Sequence, residues 1–238
     1  MCVIGFLCLS LLMESLKVVC YNIDGFENGY SSLLDLCQTY DIVAVEEHWL
    51  AQYNLDKLKN LHNHFDCFCW SAMTEKLQYG LITGRPFGGI GILFNKKLGL
   101  SVRVVDVMKN CRVAVLHCTF PTGYSIAVVV VYFPCLNSSA EYECELTECL
   151  GFIETCLDMV TCYDIIVLGD MNFECSGNNI GFKIFNDFCT DVGLKRADSS
   201  CHSMIDCTVF ILGLSRGKIP PPKKKKKIFF RNPPKISK

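Results

Sequence analysis

The sequence has few long apolar runs, and we expect it to contain neither a membrane-spanning helix nor a signal peptide. Its first thirteen residues are apolar and uncharged, but a transmembrane helix needs about 20 such residues. A signal peptide would begin with basic residues and end at a small-residue cleavage site, and neither is present. We therefore expect an intracellular protein, nuclear or cytoplasmic, with no membrane partner, in which residues 1–16 form an apolar N-terminal extension.

The cysteines, although numerous, lack the spacing of a structural metal site. None of the 17 is separated from another by two residues, and the closest pair, Cys67 and Cys69, is separated by one. Structural zinc sites and disulfide frameworks show regular spacings that are absent here. Most of the cysteines stand in apolar runs, where a free thiol behaves as a small hydrophobic side chain. A reducing compartment is the expectation.

Basic residues are scarce outside the C-terminus. Residues 216–238 contain ten lysines and arginines and no acid, which leaves 13 basic against 24 acidic residues in 1–215. An acidic body does not bind phosphate backbones through bulk charge, although a divalent cation would reverse the local sign at a carboxylate site. Residues 215–238 are predicted to be a disordered, basic, low-complexity tail.

Half of the residues are hydrophobic, which is enough for a sizeable core. Strand-like and helix-like segments alternate early and late in the chain, and strands cluster between them. This order predicts a four-layer α/β sandwich over residues 17–214, with two packed sheets inside and helices outside. The predicted strands are 17–21, 41–45, 65–70, 90–94, 100–107, 112–119, 125–132 and 164–173; the predicted helices are 30–39, 54–63, 138–161 and 178–191.

The segment VLGDMNFE, residues 167–174, places two polar side chains at the end of a buried strand. Asp170 and Asn172 are separated by one residue, so on a continued strand they would point to the same face. Gly169, just before them, allows another group to come close to the backbone. The pattern indicates either a polar turn or half of a functional site.

Other predicted strands also end in polar residues. Asn22 alone is compatible with an Asx turn, Glu46 and Glu47 with solvated residues, and Tyr132 with a buried aromatic. Together with Asp170 and Asn172 they predict a cluster of hard oxygen ligands at one edge of the sheets, which suits Mg²⁺ or Mn²⁺. Such a cluster is typical of metal-assisted phosphodiester hydrolysis.

These residues resemble the endonuclease/exonuclease/phosphatase superfamily, over about residues 17–200. The matching motifs are CYNIDG with Asn22, VEEHWL with Glu47, VYFP with Tyr132, and LGDMNF with Asp170 and Asn172. Glu46 departs from the pattern, which usually has glutamine there. Within the superfamily, EHW, GRPFGGIGILF and VYFPC are similar to the endonuclease domain of non-LTR retrotransposons.

The resemblance implies a role for each residue. Glu47 would bind the divalent metal with Asn22 close by, and Tyr132 would hydrogen-bond the scissile phosphate. Asp170 would orient or deprotonate the attacking water, with Asn172 supporting it. DNA is the substrate that the resemblance implies.

The C-terminal part of the family pattern is incomplete. Asp206, in SMIDC, resembles the acidic residue of the family's Ile-Asp element, but no Asp-His dipeptide follows it. The resemblance therefore implies a C-terminally truncated member, with a second sheet that is incomplete at the C-terminus. Two alternatives stay open: a non-catalytic retroelement remnant whose basic tail binds nucleic acid, and a phosphatase or lipid phosphodiesterase of the same superfamily.

Overall fold

The computed structural model describes residues 3–7, 16–73, 77–78, 81–82, 86–135, 140–173, 179–194 and 208–213. The strands are β1 (Val3–Leu7), β2 (Leu16–Asn22), β3 (Ile42–Glu46), β4 (Phe65–Trp70), β5 (Leu77–Gln78), β6 (Leu81–Ile82), β7 (Ile90–Asn95), β8 (Ser101–Val107), β9 (Val113–Thr119), β10 (Ser125–Tyr132), β11 (Asp164–Asp170) and β12 (Thr208–Gly213). The α-helices are α1 (Phe26–Thr39), α2 (Asp56–Lys59), α3 (Ala140–Asp158) and α4 (Ile180–Val192).

Two five-stranded sheets form the centre of the fold. Their strand orders are β1-β2-β3-β7-β4 and β12-β11-β10-β9-β8. One core cluster lies between the sheets, a second lies between the first sheet and α1, and a third lies between the second sheet and helices α3 and α4. The prediction of a four-layer α/β sandwich is confirmed.

Strand β10 shows why the sequence has a nearly all-valine segment. Val128 and Val130 face the core between the sheets, whereas Val129 and Val131 face α3 and α4. Because side chains alternate along a strand, a strand covered on both faces must be apolar at every position. All four valines are fully buried.

Each sheet contains one parallel pair of strands, and these pairs position the candidate site. Strand β2 pairs in parallel with β3, and β10 with β11. The connection within each pair carries a helix, α1 in the first and α3 in the second. Strand β11 contacts both β2 and β3. A hydrogen bond between the last residues of β2 and β11, Asn22 and Asp170, shows that the carboxyl ends of the two parallel pairs meet.

The prediction of a helix over residues 54–63 is wrong in extent. The segment forms a short 3₁₀ turn at Gln52–Asn54 followed by α2, which ends at Lys59. Leu55, Leu58 and Leu61 are buried as the apolar pattern indicated, but a compact turn buries them as well as a helix does. No helix within the described residues is long and apolar enough to span a membrane.

Candidate active site

The first half of the candidate site lies at the carboxyl ends of β2 and β3. Asn22 is in register with Glu46. Beyond the strands, the backbone N–H groups of Ile23 and Gly25 donate to the carbonyls of Glu46 and Glu47 over 3.1 and 2.8 Å. Glu47 has a φ of +56°, which non-glycine residues seldom adopt. The two loops therefore hold each other, and Glu47 sits in a backbone conformation that only such support would maintain.

The carboxylate of Glu47 receives two hydrogen bonds. The indole N–H of Trp49 and the backbone N–H of Gly88, at 3.1 Å, both donate to Glu47 Oε2. Burial raises the pKa of the Tyr132 phenol, which is also close enough for the Glu47 carboxylate to raise that pKa further. Charged acceptors form the stronger hydrogen bonds of proteins, so this carboxylate is fixed in orientation. Reasoning from the sequence did not identify Trp49 and Gly88 as its partners.

The second half of the site lies at the carboxyl end of β11. Asp170 is 3% exposed, and its Oδ2 accepts a 3.1 Å hydrogen bond from Asn22 Nδ2. Its Oδ1 accepts a 2.9 Å bond from the backbone N–H of Asn172. Both carboxylate oxygens are therefore bonded, one of them across the gap between the two sheets.

Asn172 does not continue strand β11, so the expectation that it shares a strand face with Asp170 is wrong. Its φ is +52°, a left-handed turn that asparagine tolerates better than most residues. The chain folds back after Asp170, and Asn172 Nδ2 donates to the carbonyl of Phe133 over 2.7 Å. Asn172 thus supports Asp170 through its backbone, while its side chain fixes the loop after β10.

The structure brings together most of the residues singled out from the sequence. Hydrogen bonds connect Asn22 to Asp170 and Asp170 to Asn172. The Tyr132 phenol, whose pKa is raised by burial, lies near the Glu47 carboxylate, which raises that pKa further. Strand pairing places Tyr132 beside Asp170. Asp206 lies outside the described residues.

Glu46 occupies the core beneath the site. Its side chain is fully buried, and both carboxylate oxygens lie 3.5 Å from the Cys20 sulfur. Burial, reinforced by the nearby Asp170 carboxylate, raises the pKa of Glu46 well above its usual value. A protonated carboxyl matches a glutamine amide in size, so the departure from the family's usual glutamine is chemically small.

We expect Glu46→Gln to flatten the dependence of stability on pH. Because the pKa of Glu46 is raised in the folded state, the stability that this group contributes is fully present below about pH 4.5. That contribution is lost as pH rises toward the folded pKa. The slope approaches about 1.4 kcal/mol per pH unit. Urea unfolding in EDTA at pH 5 and pH 8 should show that the free energy of unfolding of the variant, relative to that of the wild type, is higher at pH 8 than at pH 5. Glu154→Gln, on the exposed face of α3, should run parallel to the wild type, and parallel slopes for Glu46→Gln would contradict the prediction.

His48 connects the loop after β3 to strand β4. The imidazole is fully buried; Nε2 donates to the carbonyl of Trp70 over 3.1 Å, and Nδ1 accepts from the N–H of Leu50 over 3.0 Å. A Cβ on Gly89, whose φ is +91°, would lie 2.4 Å from the ring. Burial lowers the pKa of His48 to about 4, so the ring is neutral at physiological pH.

Acid should destabilise the protein through His48. Its contribution is fully present above pH 6.5 and is lost as pH falls toward about 4, at a total cost of up to about 3 kcal/mol. Urea unfolding in EDTA between pH 7 and pH 4 should show this loss in the wild type. In His48→Gln the histidine-linked part of the slope should be absent, although the variant is less stable at pH 7. His64→Gln, at an exposed position, should keep the full slope; a slope retained in His48→Gln would refute the assignment.

The oxygen ligands at this edge fit a hard divalent cation. Within the described ranges, no three His, Cys, Asp or Glu side chains are grouped closely enough to bind a metal by themselves. Mg²⁺, however, is commonly bound by one or two carboxylates, with water and substrate phosphate completing the shell. The Glu47 carboxylate and the Asn22 amide oxygen meet that requirement, since both are oxygen donors at the same pair of strand ends.

A comparison with models of protein families shows which family the chain belongs to. The model of the endonuclease/exonuclease/phosphatase family matches residues 19–182. The chain belongs to this family. The matched range contains Asn22, Glu47, Tyr132, Asp170 and Asn172. Members of the family include nucleases and phosphatases, which are hydrolases. A search of curated protein sequences found no match.

Solved structures of this family share the fold. An AP endonuclease from Leishmania major superposes with a TM-score of 0.60 at 11% identity, covering 82% of this chain and 78% of that one. A 3′ phosphatase from Neisseria bound to product DNA hairpin gives 0.56 at 13% identity, with 82% and 86% covered. The human Nocturnin catalytic domain with a bound sulfate gives 0.55 at 14% identity, with 82% and 81% covered. At these identities the likeness establishes the fold alone.

Proposed function

We propose that the chain is a divalent-metal-dependent phosphodiester hydrolase that nicks DNA, of the kind found in non-LTR retrotransposons. The observation that carries the proposal is the hydrogen bond between Asn22 and Asp170, residues 148 positions apart. It joins the two parallel strand pairs and brings the Asp170 carboxylate, which we propose activates the water, to Asn22, which we propose lies close to the metal with Glu47. A polar turn in either sheet alone would not need that bond.

Glu47 and Asn22 would hold Mg²⁺ or Mn²⁺ at the edge of the first sheet. The ion would neutralise the charge that develops on the phosphate oxygens during hydrolysis. Trp49 and Gly88 hold the Glu47 carboxylate in one orientation, which fixes the site before a substrate arrives.

Asp170 would accept the proton of the attacking water. Its two oxygens are oriented by Asn22 and by the backbone of Asn172, so the carboxylate cannot rotate freely. Tyr132 would donate to a phosphate oxygen. Burial and the Glu47 carboxylate raise the pKa of Tyr132 well above its usual range, so the phenol keeps its proton and remains a donor.

Three segments, EHW, GRPFGGIGILF and VYFPC, support the interpretation that the chain resembles retrotransposon endonucleases within the family, because each contributes to the same site. Trp49 belongs to EHW and Gly88 to GRPFGG, and both donate to Glu47. Cys135 ends VYFPC, and its thiol lies 3.5 Å from the amide oxygen of Asn172. DNA as substrate is supported by two similar structures, an AP endonuclease and a 3′ phosphatase bound to product DNA hairpin.

A phosphomonoesterase is the second candidate. A mannosyl-6-phosphatase from Bacteroides thetaiotaomicron has a TM-score of 0.55 with this chain, and the same set of residues would orient a monoester. The two functions differ in whether the phosphorus carries one ester group or two. Only substrate tests separate them.

The purified chain should convert supercoiled plasmid to the nicked form with Mg²⁺ or Mn²⁺ and not with EDTA. The same preparation should leave phosphate monoesters and lipid phosphodiesters largely unreacted. Preferential release of phosphate from monoesters would favour the second candidate. Folded protein that hydrolyses none of these substrates, and binds DNA only while residues 216–238 are present, would overturn both in favour of a non-catalytic nucleic-acid-binding remnant.

A further inference from the structure

Arg112, the residue just before β9, touches Tyr132 in three ways. Its carbonyl accepts a 2.7 Å hydrogen bond from the Tyr132 backbone N–H. Its Nη1 donates to the Tyr132 carbonyl over 3.4 Å. Its guanidinium carbon lies 5.9 Å from the centre of the phenol ring. One arginine therefore engages both backbone groups and the ring of the proposed phosphate-binding tyrosine.

The guanidinium is itself anchored from the other side. Arg112 Nη2 lies 3.2 Å from Glu145 Oε2 on α3, and the arginine side chain is 25% exposed. The backbone N–H of Arg112 donates to Asn110 Oδ1 over 3.1 Å, within the turn that leads into β9. Arg112 is therefore held by a backbone hydrogen bond to Asn110 and by an ion pair with Glu145 on α3, in addition to its contacts with Tyr132.

We propose that Arg112 is a positioning residue for the reaction, holding the Tyr132 phenol toward Glu47 and the scissile phosphate. The inference rests on the proposed function. Strand pairing fixes the backbone of Tyr132, and its ring packs against the core between the sheets. The Arg112 guanidinium adds a contact over the ring. A cation over the ring is attracted to its face and would oppose a turn of the phenol when a phosphate binds the hydroxyl.

The geometry favours arginine over lysine. The planar guanidinium presents several donors in a fixed fork, and here two different nitrogens reach the Tyr132 carbonyl and Glu145 while the plane stays near the ring. A lysine ammonium keeps the charge but cannot make these contacts together. Arg112→Lys is therefore expected to restore only part of what Arg112→Ala loses.

Steady-state hydrolysis of a DNA substrate should separate positioning from binding. Misplacing a catalytic group by about 1 Å can cost roughly 10²-fold in rate, so Arg112→Ala should lower kcat about 10- to 100-fold and leave KM within about threefold. Arg112→Lys should fall between it and the wild type, and Glu145→Gln should show a smaller loss. Arg103→Ala, which removes an exposed arginine from β8, is the matched control. A kcat for Arg112→Ala within twofold of the wild type, when Tyr132→Phe is impaired, would overturn the proposal.

A second measurement needs no activity. The chain has nine tyrosines, and in protein labelled with 3-fluorotyrosine the Tyr132 signal is the one that Tyr132→Phe removes. Arg112→Ala should shift or broaden that ¹⁹F signal and leave the others in place, whereas Arg103→Ala should not. An unchanged Tyr132 signal overturns the positioning role whatever the kinetics show. If the wild type hydrolyses nothing, the proposed function fails, and the ¹⁹F spectra still decide whether Arg112 orients the ring.

Discussion

Replacing Asp170 with asparagine is expected to lower the rate of metal-dependent phosphodiester hydrolysis by about 10²- to 10⁴-fold, the usual contribution of a general base. The amide has the same shape but cannot accept the proton of the attacking water. It can still accept a hydrogen bond through its oxygen, so the link to the neighbouring amide and backbone N–H groups is only partly lost. The rate loss should therefore appear in kcat with a protein that remains folded.

The Asp170→Asn experiment needs a matched acid elsewhere on the surface. Asp187, on the exposed face of α4, serves this purpose, and Asp187→Asn should retain wild-type turnover. Nicking should be followed at saturating Mg²⁺, and circular dichroism should confirm that both variants are folded. Turnover of Asp170→Asn within about fivefold of the wild type would mean that another group accepts the proton.

The positions of the central strands, and of the polar residues at their ends, could be predicted from the sequence. Both faces of β10 and β11 are covered, so these segments had to be continuously apolar, and their ends were marked by the first polar side chains. Register supplied the rest, because parallel pairing places Asn22 beside Glu46 and Tyr132 beside Asp170. Period-two alternation and strand ends are local signals that survive in one sequence.

The loops of the site could not be predicted in the same way. The left-handed turns at Glu47 and Asn172 depend on hydrogen bonds to distant loops, and no local pattern encodes them. The contacts of Trp49, Gly88 and Arg112 with the site residues join separate loops and strands, and only the folded chain brings them together. The helix predicted over residues 54–63 was wrong in extent for a different reason. A short turn can bury the same three side chains, Leu55, Leu58 and Leu61, as a longer helix.

Gly169→Ala should destabilise the protein by at least about 4 kcal/mol, a loss large enough to indicate a specific structural defect. Gly169 has a φ of +146°, and a Cβ at this position would lie 1.8 Å from the carbonyl oxygen of Val131 on the paired strand β10. The clash is with backbone in the middle of the fold, so no side-chain rotation relieves it. This close approach is what the glycine before Asp170 predicted from the sequence. For a domain of this size the melting temperature should fall by roughly 10 to 15 °C.

Gly151→Ala is the control that makes this result specific. Gly151 lies on the exposed face of α3, and a Cβ there would have nothing within 4 Å. Alanine is favoured over glycine inside a helix by about 0.5 to 1 kcal/mol, so this variant should melt slightly above the wild type. The same substitution is thus expected to have opposite effects at the two glycines, because only one glycine is in contact with a neighbouring strand's carbonyl. Equal melting temperatures for the two variants would mean that β10 and β11 separate enough to admit a side chain, and the position of Asp170 beside Tyr132 would then need revision.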